Sequence, residues 1–456
     1  MQPTSAAAGP VPFKDIAAVA VARRPVAEEY GDVVAALPSR LYPPQQRWRE
    51  YQGAWFREAW VPGIVALQRR FEPRAGDVLL ASLPKCGTTW LKALAFATAA
   101  RGVYPPAAAG GDGRHPLLRL NPHECVPFLE GIYLDGEEAK LDAAPTPRLM
   151  STHASYPNLP ASITEDDRCK IIYICRGTKE KLLGGLVPTA GKWRRYCGAG
   201  RGPHRRLRAE ALFWGRRPQH PLAPDASGGG GYAPAAPRDG GVGGAVPSGE
   251  GGVAAAQTAV LRPTMATAKT MRGDREQPKD MAISLWHFMN CSKAKTSSLS
   301  DDQWESITMS LSDVWESIRE GAYLGGPIWE HILGYWNTSK AKPDKVLFLK
   351  YEEVLHDPTK NIEKIAEFIG QPFSDAEKEA GIVESIIELC SFEKMKASGA
   401  NSTGSLHMMA NEYPHESFFR KGVIGDWVNH VTPEMADSLD KFLSAKFYGS
   451  GFTFAE

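Results

Sequence analysis

The chain has 456 residues, 43% of them hydrophobic, and a formal charge of +1. That is enough apolar text for one large core, and a charge so near zero argues for no particular partner, so no nucleic acid is expected as one. Seven cysteines with no C-x-x-C pair argue against a disulfide framework or a thiolate metal site, and point to reduced thiols and a cytoplasmic home.

Residues 1–40 are rich in Ala and Pro and are expected to form a flexible N-terminal tail. No basic stretch followed by an apolar run marks a secretory signal there. The Ala-rich text before Arg23 and Arg24 is faintly like a transit peptide, a reading opposed by Glu28, Glu29 and Asp32. From Tyr42 the text becomes dense. WVPGIVALQRRF predicts a short amphipathic helix, DVLLAS a buried strand, PKCGTT a turn and TWLKALAFATAA a second helix. Strand, loop and helix in immediate succession open an α/β nucleotide fold. PRLMSTH, KIIYIC and KVLFLKY are three more short apolar runs, suited to a parallel sheet buried on both faces. After Lys279, MAISLWHFMNC predicts a helix. Two more follow, entered at Asp357–Pro358 and Thr432–Pro433. No run approaches the roughly 18 apolar residues of a membrane span, so no membrane partner is expected.

The stretch Gly177–Asp274 breaks this order. It holds 20 of the 44 glycines and 15 Lys and Arg against 6 Asp and Glu. Text such as SGGGGYAPAAPRDGG has no apolar period and cannot offset its ordering entropy. Residues 177–276 are therefore expected to be a disordered low-complexity insert, dividing a domain made of residues 41–176 and 277–456.

PKCGTTW reads as an anion loop. Lys85 brings a cation, Gly87 lets backbone approach a ligand, and Thr88 and Thr89 offer hydroxyls where a helix begins. It is not G-x-x-x-x-G-K-[ST]: the Lys precedes the Gly and the first Gly is missing. A P-loop nucleotide kinase is the rival reading, and it would need a hydroxyl after the Lys and a carboxylate for Mg²⁺. His153 follows a short strand. At that carboxyl end ligands gather in open α/β sheets, and a His there is a candidate base.

PKCGTTW, the Thr152–His153 turn, Cys175–Arg176, PKDMAISLWHF, YEEVLHDP and FFRKGVIGDW occur in this order. Together they resemble the cytosolic sulfotransferases, most closely the plant-type ones, over about Leu41–Arg176 and Pro278–Phe454. The resemblance implies one α/β domain: a central, mainly parallel sheet flanked by helices, with a P-loop-like core. It implies transfer of a sulfonate from 3′-phosphoadenosine 5′-phosphosulfate to a hydroxyl of a small acceptor, such as a flavonoid, a hydroxyjasmonate or a steroid-like hormone. It implies no metal.

Residue by residue, the resemblance makes His153 the general base and Lys85 the cation at the leaving phosphate. Cys86, where the family commonly has Ser, joins Gly87, Thr88 and Thr89 in the loop. Trp90 and Tyr351 fall near the adenine, as do Cys390, Ser391 and Phe392. Arg420, Lys421 and Gly422 close over the 3′-phosphate. Ser151 stands where many members carry a Lys two before the His. Phe56, Phe128, Tyr156 and Trp336 are candidate pocket aromatics. VNHVTPEMAD, with Val428, Thr432, Pro433 and Asp437, matches the family's dimer stretch poorly, so a monomer or weak homodimer is expected.

The family grips the 3′-phosphate with C-R-x-P-K-D-x-x-x-S. Ser284 fits the Ser. Arg176 follows the strand KIIYIC as required, but the insert separates it from Ser284; Arg275 is one position too far from Ser284 and has no strand before it. Joining Arg176 to Gln277 gives CRQPKDMAIS and restores the pattern. The insert thus reads as translated intron, which an RNA read crossing Arg176 into Gln277 would support and abundant peptides from inside it would refute. The alternative is an inactive or nucleotide-binding-only product whose phosphate turn is interrupted.

Overall fold

The computed structural model describes residues 9–18, 24–42, 46–106, 113–177, 278–291, 309–409 and 411–454. Strand β4 (Asp77–Ser82) is buried along its whole length, as DVLLAS requires. It pairs in parallel with β5 (Leu149–Thr152) on one side and β6 (Cys169–Cys175) on the other, and β6 pairs with β7 (Val346–Lys350), giving the order β5-β4-β6-β7. Successive side chains of a strand point to opposite faces. Leu79, Ala81, Ile171 and Tyr173 accordingly join one core, and Val78, Leu80, Ile172 and Ile174 the other. Helices cover both faces. Val61–Arg70, Lys279–Cys291, Ile328–Ala341 and Pro433–Phe447 feed the first core; Thr88–Ala100, Pro358–Phe368 and Ile382–Leu389 feed the second. The expected α/β architecture with a parallel sheet is the observed one. An antiparallel sheet β1 (Ser39–Tyr42), β2 (Gln46–Tyr51), β3 (Ala54–Arg57) and a hairpin β8 (Ser405–Met408), β9 (Asn411–Pro414) complete the described strands.

Two buried ion pairs hold elements in place. Arg148 reaches Asp77 with two nitrogens, at 3.0 and 2.5 Å, across the amino ends of β5 and β4. Lys279 meets both carboxylate oxygens of Asp440 at 2.6 and 2.7 Å, tying its helix to the C-terminal one. Paired charges of this kind fix position, because the alternative is a desolvated charge with no partner.

The flexible tail expected over residues 1–40 is corrected in its described part. Phe13, Val26, Tyr30 and Val34 are buried in the first core, and Arg69 lies 5.1 Å from the Tyr30 ring. Val26, Tyr30 and Val34 are four apart, so they share a face, and the Ala- and Pro-rich setting disguises the pattern. The insert expected over 177–276, including Arg275, lies outside the described residues except for Gly177.

Candidate active site

Parallel pairing brings four strand ends to one edge of the sheet. Ala81 is level with Thr152, Ser82 with Ile174, and Cys175 with Lys350. The next residues of each strand are therefore neighbours: the loop Leu83–Gly87, His153, Arg176 and Tyr351.

The loop is shaped by backbone conformation. Lys85 has φ of 67° and Gly87 of 101°, left-handed values that cost a side-chain-bearing residue energy and persist where the surroundings enforce them. A Cβ on Gly87 would lie 2.7 Å from Cδ2 of Tyr351, so no side chain fits. Gly87 caps the helix Thr88–Ala100, whose first N–H groups face the loop. Thr88 Oγ1 is 2.6 Å from Ser82 Oγ. Trp90 is edge-on to Tyr351 with ring centroids 5.4 Å apart. The Cys86 side chain turns into the core, with Sγ 3.2 Å from Met281 Sδ, and burial pushes its thiol up to about 12.

Lys85 Nζ lies 4.1 Å from the Phe288 ring centroid and 5.9 Å from that of Phe418. Among the described residues it makes no ion pair. Burial, and then the nearby Arg420, lower its amine to about 7; Cys291 opposes this and Arg176 adds to it.

His153 is held from three sides. Its ring Nδ1 donates to the Ser82 carbonyl at 2.7 Å. Its backbone N–H donates to Glu130 Oε1 at 2.8 Å, an oxygen that also takes Thr152 Oγ1 and the Ala154 N–H. Its ring packs on Phe128 with centroids 4.5 Å apart. With Nδ1 carrying the hydrogen, Nε2 keeps its lone pair. Burial lowers the ring to about 3, so it is uncharged at neutral pH.

Arg176 donates to the Val423 carbonyl at 2.9 Å, lies 3.5 Å from Asp280 and covers the Tyr351 ring at 4.7 Å. Its Nε is buried with no partner among the described residues. Asp280 also accepts from the N–H groups of Gly425 and Trp427, at 2.6 and 3.0 Å. Ser284 follows one helical turn after Asp280 and one turn before Phe288, so it sits on the helix face between the groups that meet Arg176 and Lys85. Gly422 has φ of 66°, and a Cβ there would lie 2.6 Å from the Phe392 ring. Arg420 and Lys421 both donate to Asp426, at 2.5 and 2.7 Å. Burial would raise Asp426, but hydrogen bonds from Lys421, Arg420 and Asn429 outweigh it and hold the carboxyl well below its usual range.

The structure thus brings together Lys85, Gly87, Thr88, Thr89, Trp90, His153, Arg176, Ser284, Tyr351, Phe392, Arg420, Lys421 and Gly422. Cys390 differs: it is buried in the second core, as Cys86 is in the first, and a thiol in such a place packs. Of the four candidate pocket aromatics, Phe128 alone stacks on His153. Trp336 is edge-on to Phe348 and Phe452 in the first core and Tyr156 to Tyr335, while Phe56 is buried. Sequence reasoning missed Glu130, His123, Lys92, Phe288 and Phe418. Phe288 and Phe418 lie inside the quoted PKDMAISLWHF and FFRKGVIGDW, and His123 lies in NPHEC, where Asn121 and Glu124 form the capping box of a short helix. A cleft of about 240 Å³ is lined by His123, Phe128, Ile132, Lys14, Leu406 and Met408. No helix among the described residues is long and apolar enough to cross a membrane.

The chain is similar to known proteins. The family model described as a sulfotransferase domain matches residues 75–183 and 276–451, leaving out the text between. Cytosolic sulfotransferase 8 of Arabidopsis thaliana is 30% identical over 427 residues, 93% of this chain and 92% of that protein. Cytosolic sulfotransferase 12 of the same plant is 30% identical, over 89% of this chain and 88% of its own. Among solved structures, an Arabidopsis thaliana protein of the sulphotransferase class superposes with a TM-score of 0.56 at 25% identity, covering 96% of this chain and 99% of that one. Retinol dehydratase, solved with androsterone and the inactive cofactor PAP, gives 0.51 at 15% identity over 95% of this chain and 97% of that one, a likeness of fold.

Proposed function

The chain belongs to the sulfotransferase family, and we propose that it moves a sulfonate from 3′-phosphoadenosine 5′-phosphosulfate to the hydroxyl of a small acceptor in the cytosol. The observation that carries this reading is the meeting of Lys85, His153 and Arg176 at one sheet edge, each with a nitrogen for which the described residues supply no partner. Such groups at a strand carboxyl edge fit a polyanionic ligand.

The co-substrate supplies the sulfonate when bound, already joined to a phosphate that departs. The loop at residues 85–89 would hold that phosphate through the N–H groups of the helix start and the hydroxyls of Thr88 and Thr89. Lys85 would meet charge developing on the leaving oxygen, in a setting poor enough in water for a cation to act strongly. His153 takes the proton of the acceptor hydroxyl on Nε2 as the oxygen–sulfur bond forms. Its bond to Ser82 sets that tautomer, and the uncharged ring has the lone pair the step needs. Arg176 and Ser284 would grip the 3′-phosphate, with the Arg176 Nε as a waiting donor and Arg420, Lys421 and Gly422 closing from the other side. Trp90, Tyr351 and Phe392 form an aromatic setting suited to adenine. Cys86 and Cys390 contribute only packing and main chain.

The catalytic domain, in this reading, comprises residues 9–176 and 277–456, and the text between is dispensable. Binding of 3′,5′-diphosphoadenosine is measured for the chain as it stands and for one joining Arg176 to Gln277, with 5′-AMP as control. A strong preference for the diphosphate in the joined chain alone means the intervening text breaks the grip. Equal preference in both makes it a tolerated loop, and no preference in either overturns the sulfotransferase assignment of these residues.

A further inference from the structure

Behind the Thr89 hydroxyl of the anion loop runs a line of hydrogen bonds whose other members, His123 and Lys92, the mechanism above does not use. Thr89 Oγ1 is 2.9 Å from His123 Nε2, His123 Nδ1 is 3.0 Å from Lys92 Nζ, and Lys92 Nζ is 2.8 Å from the Val126 carbonyl. Lys92 has no solvent-exposed surface, and its remaining neighbour is the face of Phe128, 3.7 Å from Nζ. His123 lies between two rings, Phe418 at 4.3 Å and Phe128 at 5.6 Å. Packed on both faces, it presents one nitrogen to each partner. Thr89 and Lys92 are one turn apart on the same helix. The Thr89 hydroxyl has no other hydrogen-bond partner among the described residues.

The direction of these bonds follows from what surrounds the lysine. A carbonyl oxygen, a ring nitrogen and an aromatic face all accept, and an ammonium has three hydrogens to give them. Burial lowers the Lys92 amine well below the usual lysine range, against the pull of the Glu130 carboxylate, and the uncharged amine still has two hydrogens, one for the carbonyl and one for the ring nitrogen. A hydrogen given to His123 Nδ1 leaves the ring's own hydrogen on Nε2, which donates to Thr89. The hydroxyl, already accepting, is left with its hydrogen to give.

We propose that Lys92 and His123 are positioning residues that polarise the Thr89 hydroxyl, so that it donates to the anion held in the loop of residues 85–89. This rests on the reading of that loop as the phosphosulfate site. The line connects a buried lysine to the ligand without the lysine touching it. It also gives a reason for a lysine in a helix face otherwise filled by Leu91, Ala95 and Phe96.

The test reads the tautomer directly. In the full chain labelled with ¹⁵N-histidine, long-range ¹H–¹⁵N correlation is expected to show His123 with hydrogen on Nε2, both alone and with 3′,5′-diphosphoadenosine added, and Lys92→Met is expected to abolish that preference. Hydrogen on Nδ1 in the unmodified chain overturns the proposal, since Thr89 would then be giving its hydrogen away. A second arm uses a double-mutant cycle on diphosphoadenosine affinity. His123→Phe keeps the ring between Phe418 and Phe128 and removes both nitrogens; Thr89→Val removes the hydroxyl. Each is expected to weaken binding about tenfold, and the pair together no more than Thr89→Val alone, because one acts through the other. Losses that multiply would show a merely structural His123 and overturn the proposal. Absence of any diphosphoadenosine binding by the unmodified chain would instead strike the sulfotransferase reading, while the tautomer would still decide the direction of the line.

Discussion

Ionisable groups stand at both ends of the parallel sheet, buried at one and half-buried at the other, and the two ends treat them in opposite ways. At the amino end Arg148 is saturated: it gives two hydrogen bonds to Asp77 and one to the Glu72 carbonyl, while Asp77 also takes the Arg74 N–H. At the carboxyl end Arg176 keeps a buried Nε without a partner, Lys85 faces aromatic rings, and His153 Nε2 is left open among the described residues. In the proposed reading the same kinds of charge serve position at one end and a ligand at the other. Unsatisfied buried polar atoms cost stability, so they persist where something outside the chain completes them.

The sharpest way to break this contrast is at the saturated end. Arg148→Met leaves Asp77 buried and unpaired, which costs about 3–5 kcal/mol. A urea titration is expected to show that loss, with the diphosphoadenosine affinity of the remaining folded protein unchanged. Lost affinity at full foldedness would mean the two ends are coupled and the division is false.

Next comes the unsaturated end. Lys85→Met is expected to cut turnover by about 10²–10³, the size seen when one preorganised charge donor is removed. Stability should hold or rise, because a half-buried amine with no ion pair among the described residues has been replaced by an apolar chain of similar length. A fall in stability comparable to that of Arg148→Met would make Lys85 a structural residue.

The two ends also differ in how far they could be read from sequence. β4, the loop after it and its helix are continuous text, and apolar runs bounded by turn residues gave the strands in the right places. His153 was visible because it follows such a run. Arg176 and Ser284 were visible only as a pattern reassembled across a long interruption. Lys92 was on the page inside the helix, but its purpose needs His123, and that meeting is tertiary. Phe288 and Phe418, which surround Lys85, come from segments distant in the chain. Cys86 and Cys390 misled because a sequence names a side chain without saying which way it points. Both point inward. The buried Tyr30 and Val34 were overlooked because short helices carry too few turns for a clear period.

A finer comparison concerns the form of the charge. Arg176→Lys keeps the positive charge and loses the planar fork that lies over Tyr351. The preference for 3′,5′-diphosphoadenosine over 5′-AMP is expected to shrink by about tenfold to a hundredfold, the worth of one or two charged hydrogen bonds. Turnover at saturating co-substrate should change much less. An unaltered preference would move the 3′-phosphate grip elsewhere, to Arg420 and Lys421.

The smallest effect is a fraction of a proton, and its sign is fixed. With its amine lowered to about 7 by burial and by Arg420 and Arg176, Lys85 is mostly uncharged at pH 8 in the free protein. An anion placed beside it favours the ammonium and raises that value. Binding at pH 8 must then take up a proton, and the uptake must fade as the pH drops well below 7, where the amine is already charged. Phosphate groups with a second pKa near about 6 are fully ionised at pH 8 and add nothing there. His153, lowered to about 3, stays uncharged on both sides of the equilibrium. Calorimetry of diphosphoadenosine binding in two buffers of different ionisation enthalpy measures the uptake directly. Lys85→Met should abolish it, while Arg148→Met, at the saturated end, should leave it intact. Proton release at pH 8, or uptake that survives Lys85→Met, would place the responding group elsewhere and remove Lys85 from the open end of the sheet.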